Sequence, residues 1–407
     1  MKFAIANIVL RGLTLVSKFV LLFYLAKILP PEEIGVYGLF YVTISFSLFL
    51  LGLDYYAYAQ REMHSRPKVE WPIIIRNQFT FYLLTYIFAI PILAPVFTSG
   101  ILPLKYIGWF YVLVTLEHLS QELYRLLIAM QKPLLANLAL FIRSGVWVYA
   151  VIVIMWLEPT FRDLHVVWAG WTIGALCSLL LTIFVVQSLD FKKLINVSID
   201  WPWIRRGLPI SLRFIIGTLA IRGLFTFDRY IIDAYLGKDS VAVYTVYIAL
   251  INGITAFIDA GAISILYPKI VASYKQSKLD TYKKYIKKLA VAILFLSLLL
   301  NTLIGIVAYF WFSLFLPEIY TKNIEVLWLL QLMGVIMVMA YVPHYALYVR
   351  HKDTILSAIH IMSFVIGIVL FLIFIPKYGI IGAAIALIVS WLLVILLKSL
   401  FVYIYRE

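Results

Sequence analysis

Residues 354–376 read TILSAIHIMSFVIGIVLFLIFIP, and residues 378–397 read YGIIGAAIALIVSWLLVILL. Neither stretch contains Asp, Glu, Lys or Arg. About 20 consecutive apolar residues, wound as a helix, cover the hydrocarbon of a bilayer. A soluble surface helix of that length carries a polar face, and these two have none. With only Lys377 between them, they read as two helices crossing a membrane in succession.

The pattern extends through the chain. Charge-free runs recur at 34–53, 77–104, 164–189, 240–258, 289–316 and 326–349. Four further candidates, 5–28, 106–129, 135–157 and 207–230, carry charges inside an otherwise apolar run, which makes twelve. Composition agrees. The 407 residues are 64% apolar and 13% charged, whereas a soluble domain is about 45–50% apolar and about 25% charged. The formal net charge of +14 raises nucleic acid as a partner. That reading needs cations gathered on one solvated face, and here they are scattered between apolar runs, so no nucleic-acid role is expected. The lone Cys177 excludes a disulfide or cysteine metal site within one chain. The N-terminal segment, with Arg11 and Lys18 inside it, reads as a retained span and not as a removable signal peptide.

Cations in the loops set the orientation. With twelve alternating spans they divide 20 to 7, and the richer side holds both termini. The expectation is a multi-pass protein of the cytoplasmic (inner) membrane with both termini cytoplasmic. The longest loops, 58–76, 188–207 and 269–288, all fall on that side. Loop 269–288 interleaves lysines with Tyr274, Leu279, Tyr282, Tyr285 and Ile286. It reads either as an amphipathic helix on anionic membrane lipids or as a solvated loop.

The chain resembles itself at an offset of 207. Glu32-Glu33-Ile34-Gly35-Val36-Tyr37-Gly38-Leu39-Phe40 aligns with Asp239-Ser240-Val241-Ala242-Val243-Tyr244-Thr245-Val246-Tyr247. This sets span 1 over span 7 and span 2 over span 8. The expected fold is an all-α polytopic membrane protein of two six-helix lobes in a parallel pseudo-repeat: lobe 1–190, a cytoplasmic linker 191–207, and lobe 208–407. Parallel repeats of this kind are a transporter architecture with the substrate site where the halves meet.

Charges inside the spans mark candidate sites, because an intramembrane charge faces a cavity or a partner. Asn7, Arg11, Thr14 and Lys18 fall on one helical face. In span 7, Ser211, Thr218, Arg222, Thr226 and Arg229 form a similar stripe, with Arg222 deep. Arg213 turns to the opposite face and reads more readily as a residue snorkelling to the interface. Together with Arg143, these cations would make a central cavity attractive to an anionic substrate such as a phosphate or diphosphate. Asn7, Thr14 and Thr218 are its polar lining. The alternative is pairing with acids or snorkelling. Glu117 and Glu122 in span 4, and Asp54 and Asp259 near repeat-equivalent ends of spans 2 and 8, are gate or coupling candidates. For Glu122 a local ion pair with Arg125 is the leading alternative. His118 with Glu122 is half a metal site with nothing to complete it, so no metal is expected. Pro91, Pro95 and Pro343 fall within spans and should kink them. No phosphate-binding Gly-Lys loop and no H-E-x-x-H are present. A non-enzymatic secondary transporter without a bound cofactor is expected, with H⁺ or Na⁺ as coupling ion left open.

Two stretches carry a family resemblance. Phe23-Tyr24-Leu25-Ala26-Lys27-Ile28-Leu29-Pro30-Pro31-Glu32-Glu33-Ile34-Gly35-Val36-Tyr37-Gly38 resembles the first hairpin of polysaccharide flippases. Arg206-Gly207-Leu208-Pro209-Ile210, followed by Phe227-Asp228-Arg229-Tyr230-Ile231-Ile232, is similar in the same way. These are the Wzx-type O-antigen and exopolysaccharide translocases of the multidrug/oligosaccharidyl-lipid/polysaccharide (MOP) exporter superfamily. The resemblance implies flipping of an undecaprenyl-diphosphate-linked oligosaccharide by alternating access, with Arg11, Lys18 and Arg222 as cavity cations. It also implies a polysaccharide polymerase and a chain-length regulator as partners. A multidrug and toxin extruder of the same superfamily is the alternative, and a membrane glycan polymerase a more distant one.

Overall fold

The computed structural model describes residues 2–186 and 198–405, with side chains from Ala6 onward except that of Val186. Residues 191–197 of the expected linker, with Lys192 and Lys193, lie outside the described residues, as does Arg406.

The described residues are helical almost throughout. In chain order they form α1 (Lys2–Ile28), α2 (Pro31–Gly52), the shorter α3 (Tyr55–Ser65), α4 (Trp71–Ile92) and α5 (Ile107–Ala129). There follow α6 (Pro133–Leu157), α7 (Leu164–Val186), α8 (Trp201–Leu236) and α9 (Lys238–Lys275). After them come α10 (Leu279–Phe315), α11 (Ile324–Tyr348) and the run Asp353–Ile404. That last run breaks at Gly379 (φ 62°, ψ −145°), a backbone conformation open in practice only to glycine. It therefore counts as α12 (353–378) and α13 (379–404). Among the described residues, ten helices are long and apolar enough to cross a membrane when this pair is taken as one. Counting the pair as two and adding α5, whose Glu117, Glu122 and Arg125 lower its hydropathy, gives the twelve spans expected.

Local chemistry explains the boundaries. Pro31 at the first helical position and Glu32 and Glu33 in the first turn start α2. Gly237, at φ 79°, permits the turn into α9, which opens with Asp239 in its first turn. Pro91 lies in the last turn of α4, and Pro95 restarts a single helical turn beyond it. Among the described residues, two π-helical segments interrupt spans, Ile142–Val146 in α6 and Asp259–Ile263 in α9.

The basic segment 269–288 is neither a loop nor a separate surface helix. Helix α9 continues to Lys275, and α10 begins at Leu279. With 37 residues, α10 is about 55 Å long, against a hydrocarbon thickness of about 30 Å. Its lysine-bearing turns are an extension of a span.

Contacts divide the chain into two compact units, Met1–Leu29 with Leu39–Ile215, and Pro30–Gly38 with Ile216–Glu407. The first has an aromatic core in which Phe40 stacks on Trp168 at 4.0 Å and meets Phe110 edge-on at 5.6 Å. A second cluster joins Tyr55, Phe81 and Trp203, so the start of α8 is packed against α3 and α4. In the second unit, Val241–Ile248 of α9 is buried almost throughout. The two repeat segments touch there. A side chain at Gly35 would strike the Lys238 carbonyl, and one at Gly38 would strike Thr245, its partner in the repeat alignment.

Candidate functional site

In the first unit, α1 presents two exposed faces. Val9, Leu13, Val16 and Val20 are exposed on one. Arg11 and Lys18 are exposed about half a turn away on the other. Between them, Thr14 and Ser17 are buried and donate to carbonyls of their own helix. An apolar exposed face suits lipid, whereas a face with two exposed cations requires water or an anionic partner.

Arg11 is held in place. Its Nε donates to Asn137 Oδ1 at 3.2 Å, and its Nη2 donates to the Tyr124 hydroxyl at 3.2 Å. Asn137 Nδ2 in turn donates to Asn7 Oδ1 at 2.8 Å, which links α1, α5 and α6. Lys18 lies 5.9 Å from the centroid of the exposed Tyr41 ring. Beside Lys18, Ser17 Oγ lies 3.0 Å from the Tyr149 hydroxyl, which can donate to it while Ser17 keeps its own bond to the Leu13 carbonyl.

Behind this face, α5 carries a buried polar network. Glu122 Oε2 accepts from the Tyr82 hydroxyl at 2.6 Å and from Gln78 Nε2 at 3.0 Å, while Oε1 pairs with Arg125. His118 Nδ1 is 2.7 Å from the Tyr86 hydroxyl. Gly52 makes room for this ring: a Cβ there would lie 2.9 Å from His118 Nε2. The residue before His118 is Glu117, whose Oε1 accepts from Trp171 Nε1 at 2.8 Å and whose Oε2 lies 3.6 Å from Arg143 Nε. Arg143 sits in the π-helical segment of α6, and its Nε and Nη1 are buried without a hydrogen-bond acceptor. Arg143 is thus paired in charge and incompletely hydrogen-bonded. Asp54 is buried just past α2 in a left-handed conformation (φ 51°) and makes no side-chain cap to α3.

Arg213, on the part of α8 that belongs to the first unit, is exposed near Leu212 and Ile216. In the second unit, Arg222 is exposed on α8, and Thr218 is half-buried one turn before it. Arg222 and Asp259 both lie within electrostatic reach of the Tyr341 hydroxyl. Asp259 is exposed and opens the π-helical segment of α9. Asp228 and Arg229 are buried, and Asp228 Oδ2 accepts from the Tyr244 hydroxyl at 2.8 Å. No group of three or more His, Cys, Asp or Glu that could hold a metal occurs among the described residues.

Sequence reasoning did not single out Gln78, Tyr82, Tyr86, Asn137 or Trp171 as the partners of these charges. The spacing of Gln78 and Tyr82, one turn apart in a charge-free span, was a usable signal. It also passed over a cluster at the end of α13, where Lys398 is buried against His344.

The fold these helices make is that of MOP superfamily transporters. It is shared over 98% of this chain with a multidrug resistance MATE family transporter of that superfamily in its inward-facing conformation. There the TM-score is 0.77 and the identity 17%, and 97% of that chain is covered. Lipid II flippase MurJ, in an inward closed conformation, matches with a TM-score of 0.74 at 15% identity, covering 98% of this chain and 87% of its own. A MOP superfamily transporter from Pyrococcus furiosus, described as having a binding pocket of reversed polarity, matches at 0.66 and 16% identity, covering 98% and 92%. No protein-family model and no curated protein sequence matches the chain.

Proposed function

We propose that the chain is a secondary transporter that flips an undecaprenyl-diphosphate-linked oligosaccharide from the cytoplasmic to the outer leaflet of the inner membrane. The observation that carries this reading is the polar exposed face of α1. Arg11 and Lys18 lie outside the protein interior and away from the apolar face that suits lipid. A diphosphate supplies the anionic oxygens such cations attract, with a guanidinium for bidentate contact and an ammonium as a point charge. Arg222 brings an exposed cation to the second unit. The likeness to a lipid II flippase supports a lipid-linked substrate.

A second reading is an exporter of the multidrug resistance type. Its support is the matched length, since this chain and the MATE transporter cover 98% and 97% of each other. Substrate charge separates the two, because a cationic drug would be repelled by Arg11 and Lys18.

Complementation of a strain lacking its polysaccharide flippase tests the proposal. Wild-type chain should restore surface glycan. Lys18→Ala and Arg222→Ala should abolish restoration at wild-type membrane abundance, and Lys18→Arg should retain part of it. Full activity in both alanine variants would refute the cationic site. Failure of the wild type, together with raised resistance to a cationic dye, would favour the exporter.

A further inference from the structure

We propose that Lys398, His344 and His360 form a proton-binding site in the second unit, and that its occupancy sets the packing of α11 against α13. As the coupling step of a transport cycle, it rests on the transporter reading above.

Three helices bring three basic side chains together. Lys398, on α13, is 2% exposed, and its Nζ lies 3.4 Å from His344 Nδ1 on α11. The His344 ring lies nearly parallel to that of His360 on α12, at 6.2 Å between centroids and 6° between planes. His360 also lies near the Gly217 backbone of α8. Among the described residues no carboxylate lies within ion-pairing distance of Lys398. That is unusual, because a buried lysine is normally paired with an acid. The Glu122–Arg125 and Glu117–Arg143 pairs of the first unit follow the normal pattern.

The contact itself requires a proton. Two nitrogens can form a hydrogen bond only when one carries hydrogen and the other offers a lone pair. Either an ammonium donates to a bare imidazole nitrogen, or an imidazole N–H donates to a neutral amine. A further proton at this contact removes the lone pair and leaves two cationic side chains facing each other with no acid between them. Relief then requires Lys398 and His344 to move apart, which is how proton uptake reaches the helices. His344 and His360 are only half-buried, so protons can enter from their side.

The surrounding groups do not supply the missing negative charge. From α11, Tyr345 meets the His344 ring edge-on at 5.4 Å and Tyr348 stacks on it at 6.1 Å. From α9, Tyr267 packs on Tyr345 and Tyr348. Asp259 lies within electrostatic reach of Tyr341 and Tyr345, and Asp353 of Tyr267. Arg222, from α8, acts on Tyr341. A resident metal does not suit this site, which has two imidazoles, an amine and no acid.

The test uses the purified full-length protein in lipid nanodiscs. Nitrogen-15 histidine spectra are recorded from about pH 5 to 9, the range of imidazole and amine titration. His344→Gln and His360→Gln supply the assignments. In wild type, His344 and His360 should titrate together in steps belonging to the cluster. In Lys398→Met, His344 and His360 should titrate as a pair without the lysine, with the His344 midpoint moved by about one pH unit or more. Hydrogen exchange over α11 and α13 should change about threefold or more across the same range in wild type. That pH response should vanish in Lys398→Met and in His344→Gln. Superposable titration and exchange curves in wild type and both variants would overturn the site. These readouts need no substrate. A wild-type chain that shows them but fails to restore surface glycan refutes the flippase and leaves the proton site standing.

Discussion

Removing one member of the Glu122–Arg125 pair tests whether α5 holds a structural charge pair. The Glu122 side chain is 1% exposed and Arg125 is 18% exposed. In Arg125→Met the carboxylate keeps only the neutral donors Tyr82 and Gln78. Breaking a buried pair from one side costs about 3–5 kcal/mol. In Glu122→Gln the guanidinium keeps the Tyr56 ring, whose centroid lies 3.5 Å from Arg125 Cζ, and its partial access to water. A desolvated cation–π contact contributes about 2 kcal/mol, so this variant should lose only about 1–3 kcal/mol. Thermal unfolding in detergent reads the difference. For a unit of about 200 residues, each kcal/mol moves Tm by about 2–4 °C. Arg125→Met should therefore melt about 6–20 °C below wild type and Glu122→Gln about 2–12 °C below it. The double variant removes both charges and should melt above Arg125→Met, since a coupled pair is non-additive by about 0.5–3 kcal/mol. Two single variants melting with wild type, or losses that simply add, would refute the pairing. Lost glycan export at unchanged Tm would instead return Glu122 to a gating or proton-relay role.

Gly35→Ala should cost about 1–3 kcal/mol, because the new methyl meets the Lys238 carbonyl and not a side chain that can rotate away; membrane abundance and Tm read the loss. Gly379→Ala forces a side chain into a backbone region reserved for glycine and should destabilise by about 1–3 kcal/mol; a wild-type Tm would contradict the break between α12 and α13. Tyr244→Phe leaves the fully buried Asp228 without its hydroxyl donor and should cost about 1–3 kcal/mol. Single cysteines placed in 98–105 and in 276–278 should react with an impermeant thiol reagent from opposite sides of the membrane; labelling of both from one side would overturn the twelve-span topology.

The spans were legible in the sequence because the bilayer imposes its constraint residue by residue. A stretch such as 378–397 can be read without knowing anything it touches. The stripe Asn7, Arg11, Thr14 and Lys18 was legible for a related reason, since helical periodicity is also local. What could not be read is the partner of each charge. Arg11 is tied to Asn137, Glu117 to Trp171 and Glu122 to Tyr82, and in each case the second residue lies on a different helix at no fixed spacing. The π-helical segments were missed because one extra residue in a turn leaves apolar composition unchanged. Lys398 is the sharpest case. By position it is a cation near the end of a span, the setting in which a lysine usually snorkels to the interface. Burial against His344 places it in the opposite category. Charge counting registers how many cations a membrane protein carries, and only packing distinguishes a cation open to water from one sealed among bases. The first kind, Lys18 and Arg222, suits an anionic cargo. The second, Lys398, suits a proton. A transporter that moves an anion using a proton gradient needs both kinds, and needs them at separate places, because a cargo phosphate beside Lys398 would supply the counter-charge whose absence makes that site responsive to pH.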